Sequence, residues 1–485
     1  MEIKLTTQGS APARLVTCFE DHQPVTGSLD ANLARSIQDM VEDEVLSTKF
    51  GAVQVITLGR GEGPRHIIFA GLGKAEDFTP ERARRIAGRA IKQAQKLKVP
   101  QLDLEISGFG TRIDPLDLAR AIAEGAMLAS YKFDKFKSER KENPLKQVNL
   151  LGDGDAAALG LAEGLILAEA TNLARGLVDE PSNLMTPAKL ADEAERIGSE
   201  CGFEVTIRDE AGIRALGMEA FLMVGQGSDN PPRLIVMKYR GNPSSTEVLG
   251  LVGKGLTYDS GGLSLKPRQS MEGMKGDMAG AAAVIGAMAA ISKLKVKVNL
   301  VGVIAACENM VSGRAYKVDD IIGSMSGQTI EIFSTDAEGR LTLADAVYYA
   351  VTKEKATRVL DIATLTGAAI VALGNLTTPV LANDDQFYAQ LQQAADLAGE
   401  KIWRLPHDEE YKELIKSEVA DLRNTSRGGA GTITAGLFVG AFVEKRPWLH
   451  LDIAGTAWTA KEGDYHPKGA TGAGVRTICH LAKIL

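Results

Sequence analysis

Apolar positions recur with two different periods along this chain, and the order in which they do so predicts its architecture. Alternating apolar stretches at 53–58 and 66–70 predict strands, whereas 80–97 carries Ile86, Ala90, Ala94 and Leu97 at helical spacing. These elements predict a small N-terminal α/β domain over residues 1–150. The charged stretch 132–146 includes Asn143-Pro144, a turn signal that marks the boundary. After it, 156–178 has helical composition with no proline, and a connecting helix is expected at 151–170. Strand and helix then alternate through 248–252, 279–294, 296–305, 345–352, 359–362 and 449–452. Buried strands interleaved with helices predict a larger α/β domain at 171–485, a three-layer αβα arrangement around a mixed, mostly parallel sheet. Ligands of such sheets gather beyond the carboxyl ends of strands. Lys254 follows one of these predicted strands and Thr364 another.

Composition narrows the class. A chain of 485 residues exceeds the roughly 250–300 at which single cores stop growing, which agrees with two domains. Lys and Arg number 55 against 62 Asp and Glu, a net charge of −7 that disfavours a protein dependent on phosphate-backbone contacts. Cys18, Cys201, Cys307 and Cys479 are dispersed without a C-x-x-C pair, as expected in a reducing compartment. The first ten residues lack a positive leader and an apolar core, and the small-residue run 280–291 is too short to span a bilayer. The expectation is a cytoplasmic protein with no membrane partner.

Chemistry concentrates in two stretches. One runs from Lys254 through Asp259-Ser260-Gly261-Gly262 to Lys266 and Asp277; the other is Ser334-Thr335-Asp336-Ala337-Glu338-Gly339-Arg340-Leu341. Carboxylates gathered near glycine-rich turns repel one another unless positive charge sits among them, and divalent cations are the usual solution. Taken alone, Asp277 reads as a helix N-cap, and Asp336 with Glu338 as a solvated edge, either along a strand or across a turn. A phosphate-binding loop around Lys254 fails, because it needs glycine where Val248 stands and a hydroxyl residue at Gly255. A trypsin-like reading of 259–262 fails on its flanks, Tyr258 and Leu263. The chain has no G-x-S-x-G elbow and no H-E-x-x-H helix, and its six histidines are scattered. A histidine-poor acidic site suits Mn²⁺, Zn²⁺ or Mg²⁺.

These residues belong to longer signatures at 174–187, 252–283, 308–310, 334–341, 361–367 and 450–458, through which the chain resembles the leucyl aminopeptidases, two-metal cytosolic exopeptidases. The likeness spans most of 166–485 and is loose before that. The resemblance implies release of N-terminal amino acids, leucine preferred, from peptide substrates. It implies two divalent cations per subunit, with Lys254 and Asp277 on one, Asp336 on the other, and Asp259 and Glu338 shared. By the same likeness Lys266 stabilises the oxyanion, and Arg340 holds a bicarbonate ion that accepts a proton. Met274, Thr364, Leu365, Gly367, Ala454 and Ala457 fall where the family lines its substrate pocket. Ser334 stands where the family usually has asparagine, so a hydrogen bond that orients the metal loop is expected to be either shorter or supplied differently. Val311 and Lys317-Val318-Asp319 also depart from the usual proline-bearing turns. The likeness implies a homohexamer. A rival of another class, a DNA-binding accessory role, would use Arg82, Arg84, Arg85, Arg89, Lys92, Lys96 and Lys98, with Lys132, Lys135, Lys137, Arg140, Lys141 and Lys146.

Overall fold

The structure, a computed structural model, describes residues 1–27, 29–59, 63–140, 142–426 and 428–485. They form two compact units, Met1–Glu169 with Lys461–Lys468, and Ala170–Ala460 with Gly469–Leu485. The helix Asp155–Asp179 runs through the point at which the first gives way to the second.

The smaller unit is built on a six-stranded sheet in the order Glu2–Thr6, Gln147–Leu151, Gln101–Glu105, Ala13–Phe19, His66–Gly73, Val53–Thr57. All neighbours are parallel except the last pair. The helix Pro80–Lys96 starts with proline in its first turn and with Thr79 accepting from the Arg82 amide, two devices that satisfy or remove orphan N–H groups. Ile86, Ala90 and Ala94 are buried as the spacing requires, and Leu97 is half-buried just past the helix end. The charge on this helix is largely neutralised inside the unit. Arg84 Nε donates to Glu124 Oε2 at 2.8 Å with both side chains buried, Arg85 and Arg89 meet Asp464, Lys92 meets Glu462 and Arg82 meets Asp77. Lys132 pairs with Asp134 and Lys146 with Glu142, while Lys141 lies outside the described residues.

In the larger unit eight strands are ordered Ile402–Arg404, Thr378–Ala382, Trp448–Asp452, Arg358–Ala363, Leu249–Asp259, Asn299–Asn309, Arg233–Arg240, Glu204–Arg208. The centre is parallel, and antiparallel pairings enter toward both edges, giving a mixed sheet. Helices Ala279–Lys293, Pro187–Cys201 and Val475–Ile484 cover one face; Gly339–Thr352, Glu219–Gly225 and Gly431–Gly440 cover the other. Ala279–Lys293 is small-residue rich and buried along nearly its whole length, so it serves as a core helix of the sheet.

The central strands are longer than their apolar runs suggest. Leu249–Asp259 continues through Lys254 to Asp259, so both residues sit on the strand rather than in a turn after it. The hydrophobic pattern stops at Val252 because glycine and charge follow, yet pairing persists: Ala305 opposes Lys254 and Asn309 opposes Asp259. The N-cap reading of Asp277 also gives way. Met278 occupies the cap of Ala279–Lys293, and Asp277 spends its carboxylate elsewhere.

A second buried carboxylate supports the fold instead. Asp345 on Gly339–Thr352 is fully buried and accepts from the Phe221 amide at 2.9 Å and the Met325 amide at 2.8 Å. Burial pushes its carboxyl up to about 7, against backbone amides, those of Met325 and Phe221 foremost, that favour the charged form. Because the folded value exceeds the ~4 of an unfolded carboxyl, the native state binds this proton more tightly. Its contribution to stability is therefore full below about pH 4 and declines as pH rises through about 7. Asp345→Asn, neutral at every pH, should gain on the wild type in thermal midpoint between pH 5 and 8; a difference independent of pH would contradict the assignment. Asp345→Ala should cost about 3 kcal/mol in urea unfolding, since it strands two buried amides.

Candidate functional site

The end of the central strand and the start of the Gly339–Thr352 helix bring the two motif stretches together. Ligand oxygens of Asp259, Asp336 and Glu338 lie within 4.8 Å of one another. Beside them, Lys254 Nζ lies 2.9 and 2.8 Å from the two oxygens of Asp277, 2.9 Å from Glu338 Oε1, and donates to the Thr364 carbonyl at 2.9 Å. Lys266 Nζ lies 2.9 Å from Asp259 Oδ2 and 2.5 Å from Asp336 Oδ1. Four carboxylates thus share two ammonium groups. Asp259, Asp277 and Glu338 are buried, and Asp336 is the exposed member of the set.

Local backbone makes these approaches feasible. A Cβ on Gly339 would stand 2.4 Å from Lys254 Cε, so only glycine after Glu338 lets the lysine pass. Gly261 has φ +87°, a left-handed conformation that suits glycine, and a Cβ there would meet Asp336 Oδ1 at 2.8 Å. Asp336 and Glu338 lie across a turn rather than along a strand.

The electrostatics follow from burial and charge. Burial pushes the Glu338 carboxyl up to about 8, and Asp259 adds to it more than Lys254 takes away. Burial likewise raises Asp277 to about 6 despite the adjoining lysine. For Lys254 burial pulls down, but Asp277, Glu338 and Asp259 together outweigh it and hold the ammonium above its ordinary value. Lys266 is raised in the same way against its burial, by Asp259, Glu338 and Asp336. Arg340, in the first turn of Gly339–Thr352, is lowered to about 10 by burial. Its Nη1 donates to the Asn424 carbonyl at 2.8 Å, and its Nε is buried without a partner, as is Glu338 Oε2. Buried polar atoms are rarely left without a partner, and a water or an ion is one way such atoms are satisfied. The donor set, oxygens with one amine and no thiol or imidazole, fits hard or borderline divalent cations.

Two of the expected pocket residues, Leu365 and Ala454, are held by a carboxylate that sequence reading did not single out. Asp452 Oδ1 accepts from the amides of Leu365 at 3.0 Å and Ala454 at 3.2 Å, and Oδ2 accepts from Thr366 Oγ1 at 2.6 Å. Thr364 Oγ1 donates to Asp277 Oδ1 at 2.8 Å, tying that wall to the acidic cluster. Gly367 opens the Gly367–Leu373 helix just beyond, Ala457 is buried in the turn after Ala454, and half-buried Met274 begins the Met274–Gly276 turn ahead of Asp277. These last three join the site through their chain neighbours rather than by bonding the cluster.

Three further residues hold the Ser334–Glu338 loop. Asn309 Nδ2 donates to Asp259 Oδ1 at 2.8 Å and to the Thr335 carbonyl at 2.9 Å. Thr335 Oγ1 donates to the Gly261 carbonyl at 2.7 Å, and Tyr316 Oη donates to the Thr335 carbonyl at 2.9 Å. Asn424 is fully buried; its Oδ1 accepts from the Phe333 and Ser334 amides, and its Nδ2 donates to the Ser334 and Ala337 carbonyls. A side-chain amide therefore braces this loop from a remote segment, while Ser334 Oγ only accepts from the Asp336 amide at 3.2 Å. Nothing near Asn424 in sequence advertises this role. Asn424→Ala should weaken Mn²⁺ affinity by roughly 10–100-fold in a calorimetric titration while circular dichroism is retained, the usual effect of removing a group that orients ligands. Unchanged affinity would show the loop to be held without it.

Comparison with known proteins accords with this geometry. The catalytic-domain profile of the cytosol aminopeptidase family matches residues 172–479, and the N-terminal-domain profile of the same family matches 15–140. A probable cytosol aminopeptidase of Clostridium perfringens is 48% identical over 477 residues, 97% of this chain and 96% of the relative. One from Alkaliphilus oremlandii is 48% identical, covering 94% of this chain and 92% of its own. Among solved structures, the bottromycin maturation enzyme BotP in complex with Mn superposes with a TM-score of 0.87 at 33% identity, covering 98% of this chain and 99% of that one. With both profiles matched in order and near-full-length relatives at this identity, the chain belongs to the cytosol aminopeptidase family, whose members are metal-dependent aminopeptidases.

Proposed function

We propose that this protein is a leucine-preferring, broad-range aminopeptidase that uses two divalent cations, Mn²⁺ or Zn²⁺ with Mg²⁺ as a third candidate. The observation that carries the reading is the convergence of Asp259, Asp336 and Glu338 within 4.8 Å beside the Lys254–Asp277 pair. Lys254, Asp259, Asp277, Asp336 and Glu338 are the residues that would hold the pair. Cations of this kind, when bound, make water nucleophilic at neutral pH and polarise a carbonyl. Neutralising the carboxylates would also remove what keeps Lys254 protonated, leaving burial to favour the amine.

The chain's own groups have distinct tasks in this reading. Lys266, the less buried lysine, donates toward the oxygen of the scissile carbonyl and stabilises the charge that develops there. Asp277 favours the free α-amine of the substrate, so a peptide lacking that charge loses an anchor and cleavage is confined to the amino end. Arg340 retains an unpartnered Nε and suits a planar two-oxygen anion such as bicarbonate, which would serve as proton acceptor. Thr364, Leu365, Ala454 and Ala457, with Met274 and Gly367, form the wall for the first side chain, small or apolar in keeping with leucine. A homohexamer is carried over from the resemblance as a further expectation, and the relatives' description as cytosol aminopeptidases supports a cytosolic setting. No specific observation favours the DNA-binding role, since Arg82, Arg84, Arg85, Arg89 and Lys92 are each paired with a carboxylate.

The Mn²⁺-loaded protein should hydrolyse leucine p-nitroanilide and leave its N-acetylated form intact. Glu338→Ala should abolish turnover, and Lys266→Met should lower kcat by roughly 10²–10³-fold, the scale seen when one oxyanion donor is lost. Unchanged turnover in either variant, or cleavage of the acetylated substrate, would remove this mechanism.

A further inference from the structure

The smaller unit contains a cavity at a place where α/β sheets commonly bind ligands. From Ala13–Phe19 the chain moves on to His66–Gly73 on one side, and from Gln101–Glu105 to Gln147–Leu151 on the other, so the connections diverge between these two paired strands. That divergence opens a crevice at the carboxyl edge of a parallel sheet. A cavity of about 500 Å³ lies at the carboxyl edge on the Gln101–Glu105 side of that divergence, bounded by Thr7, Glu105–Ser107 and Leu151–Asp153, which follow or end three adjacent parallel strands. Its size is that of small-molecule sites.

The lining has a particular chemistry. Arg14 Nη2 stands 3.3 Å from Glu105 Oε2, with side chains only 7% and 23% exposed, and Ser107 Oγ donates to Glu105 Oε1 at 2.7 Å. Ile106, Ile113, Leu118 and Leu151 supply an apolar wall around this pair. A purely anionic ligand on Arg14 would face the Glu105 carboxylate, and a purely cationic one on Glu105 would face the guanidinium. A zwitterion meets both, because its own charges replace the partner that each protein group gives up. The short spacing of Arg14 and Glu105 matches an ammonium and a carboxylate carried on one carbon, and the wall beside them suits an aliphatic substituent.

We propose that this cavity binds a free α-amino acid with an aliphatic side chain, its carboxylate on Arg14 and its ammonium on Glu105. That the ligand is also the reaction product, which would make the smaller unit a sensor of product, rests on the aminopeptidase reading; the binding site does not.

Equilibrium dialysis of radiolabelled leucine against the full-length, Mn²⁺-loaded protein tests it, because stoichiometry is read without turnover. Arg14→Leu and Glu105→Gln should each bind one leucine fewer per chain than the wild type, with hydrolysis of leucine p-nitroanilide retained. Ile113→Trp, which fills the cavity and leaves the ion pair in place, should show the same loss and guards against misfolding of the charge variants. No leucine bound by the wild type, or equal stoichiometry in wild type and Ile113→Trp, would overturn the site. Displacement of that leucine by succinate would overturn the zwitterion class. A protein inactive toward peptides that still loses one leucine in these variants would uphold the site while removing the hydrolytic reading.

Discussion

Asp259, Asp277, Asp336 and Glu338 share a largely buried space with two ammonium groups among the described residues, Lys254 and Lys266. Buried negative charge in excess is costly, because neighbouring carboxylates repel and little water remains to screen them. The raised carboxyls of Glu338, Asp277 and Asp336 are that cost expressed as proton affinity. Much of the surrounding structure can be understood as what keeps this excess assembled. The central strand is paired on both sides up to Gly253 and carries Lys254 and Asp259 into the site on a backbone that stays paired with Asn299–Asn309, and Gly339 removes the one side chain that would block the lysine.

The bracing is a network of hydrogen bonds made by two side-chain amides, a hydroxyl and one carboxylate, largely to main chain. Asn309 and Thr335 lock the glycine turn to the Ser334–Glu338 loop, Asn424 pins the same loop from the far side, and Asp452 fixes the opposite wall at Leu365 and Ala454. Each group bonds main chain, so each fixes geometry without altering the number of ligands. With serine at 334, whose hydroxyl accepts only from the Asp336 amide, the side-chain amide of Asn424 orients the loop from outside the motif. The same residue bears on Arg340, whose guanidinium is held at one end by the Asn424 carbonyl while Nε is left over.

How much of this was legible in the sequence depended on the range of the interaction. The helix Pro80–Lys96 and the strand Val53–Thr57 were legible because periodicity and capping are local. The extent of Leu249–Asp259 was not: Gly253-Lys254-Gly255 interrupts its apolar run, and beyond Gly253 the strand is continued by pairing with Asn299–Asn309, a neighbour distant in sequence. Asp277 misled when taken by itself for a similar reason, since a carboxylate ahead of a helix looks like a cap and only the fold brings Lys254 and Thr364 to it. The acidic motifs were recognisable because clustered carboxylates and glycine are chemically conspicuous, whereas Asn424 and Asp452 bond main-chain atoms contributed by other segments and leave no local pattern.

The central claim is that the charge imbalance of this nest is met by two divalent cations. Metal analysis of the full-length protein, stripped with chelator, reloaded with Mn²⁺ and freed of excess ion, tests it most directly when combined with the thermal midpoint of each form. The account predicts two ions per chain and a higher midpoint for the loaded protein, as binding to the native state requires. Fewer than two ions, or identical midpoints for the stripped and loaded forms, would contradict it.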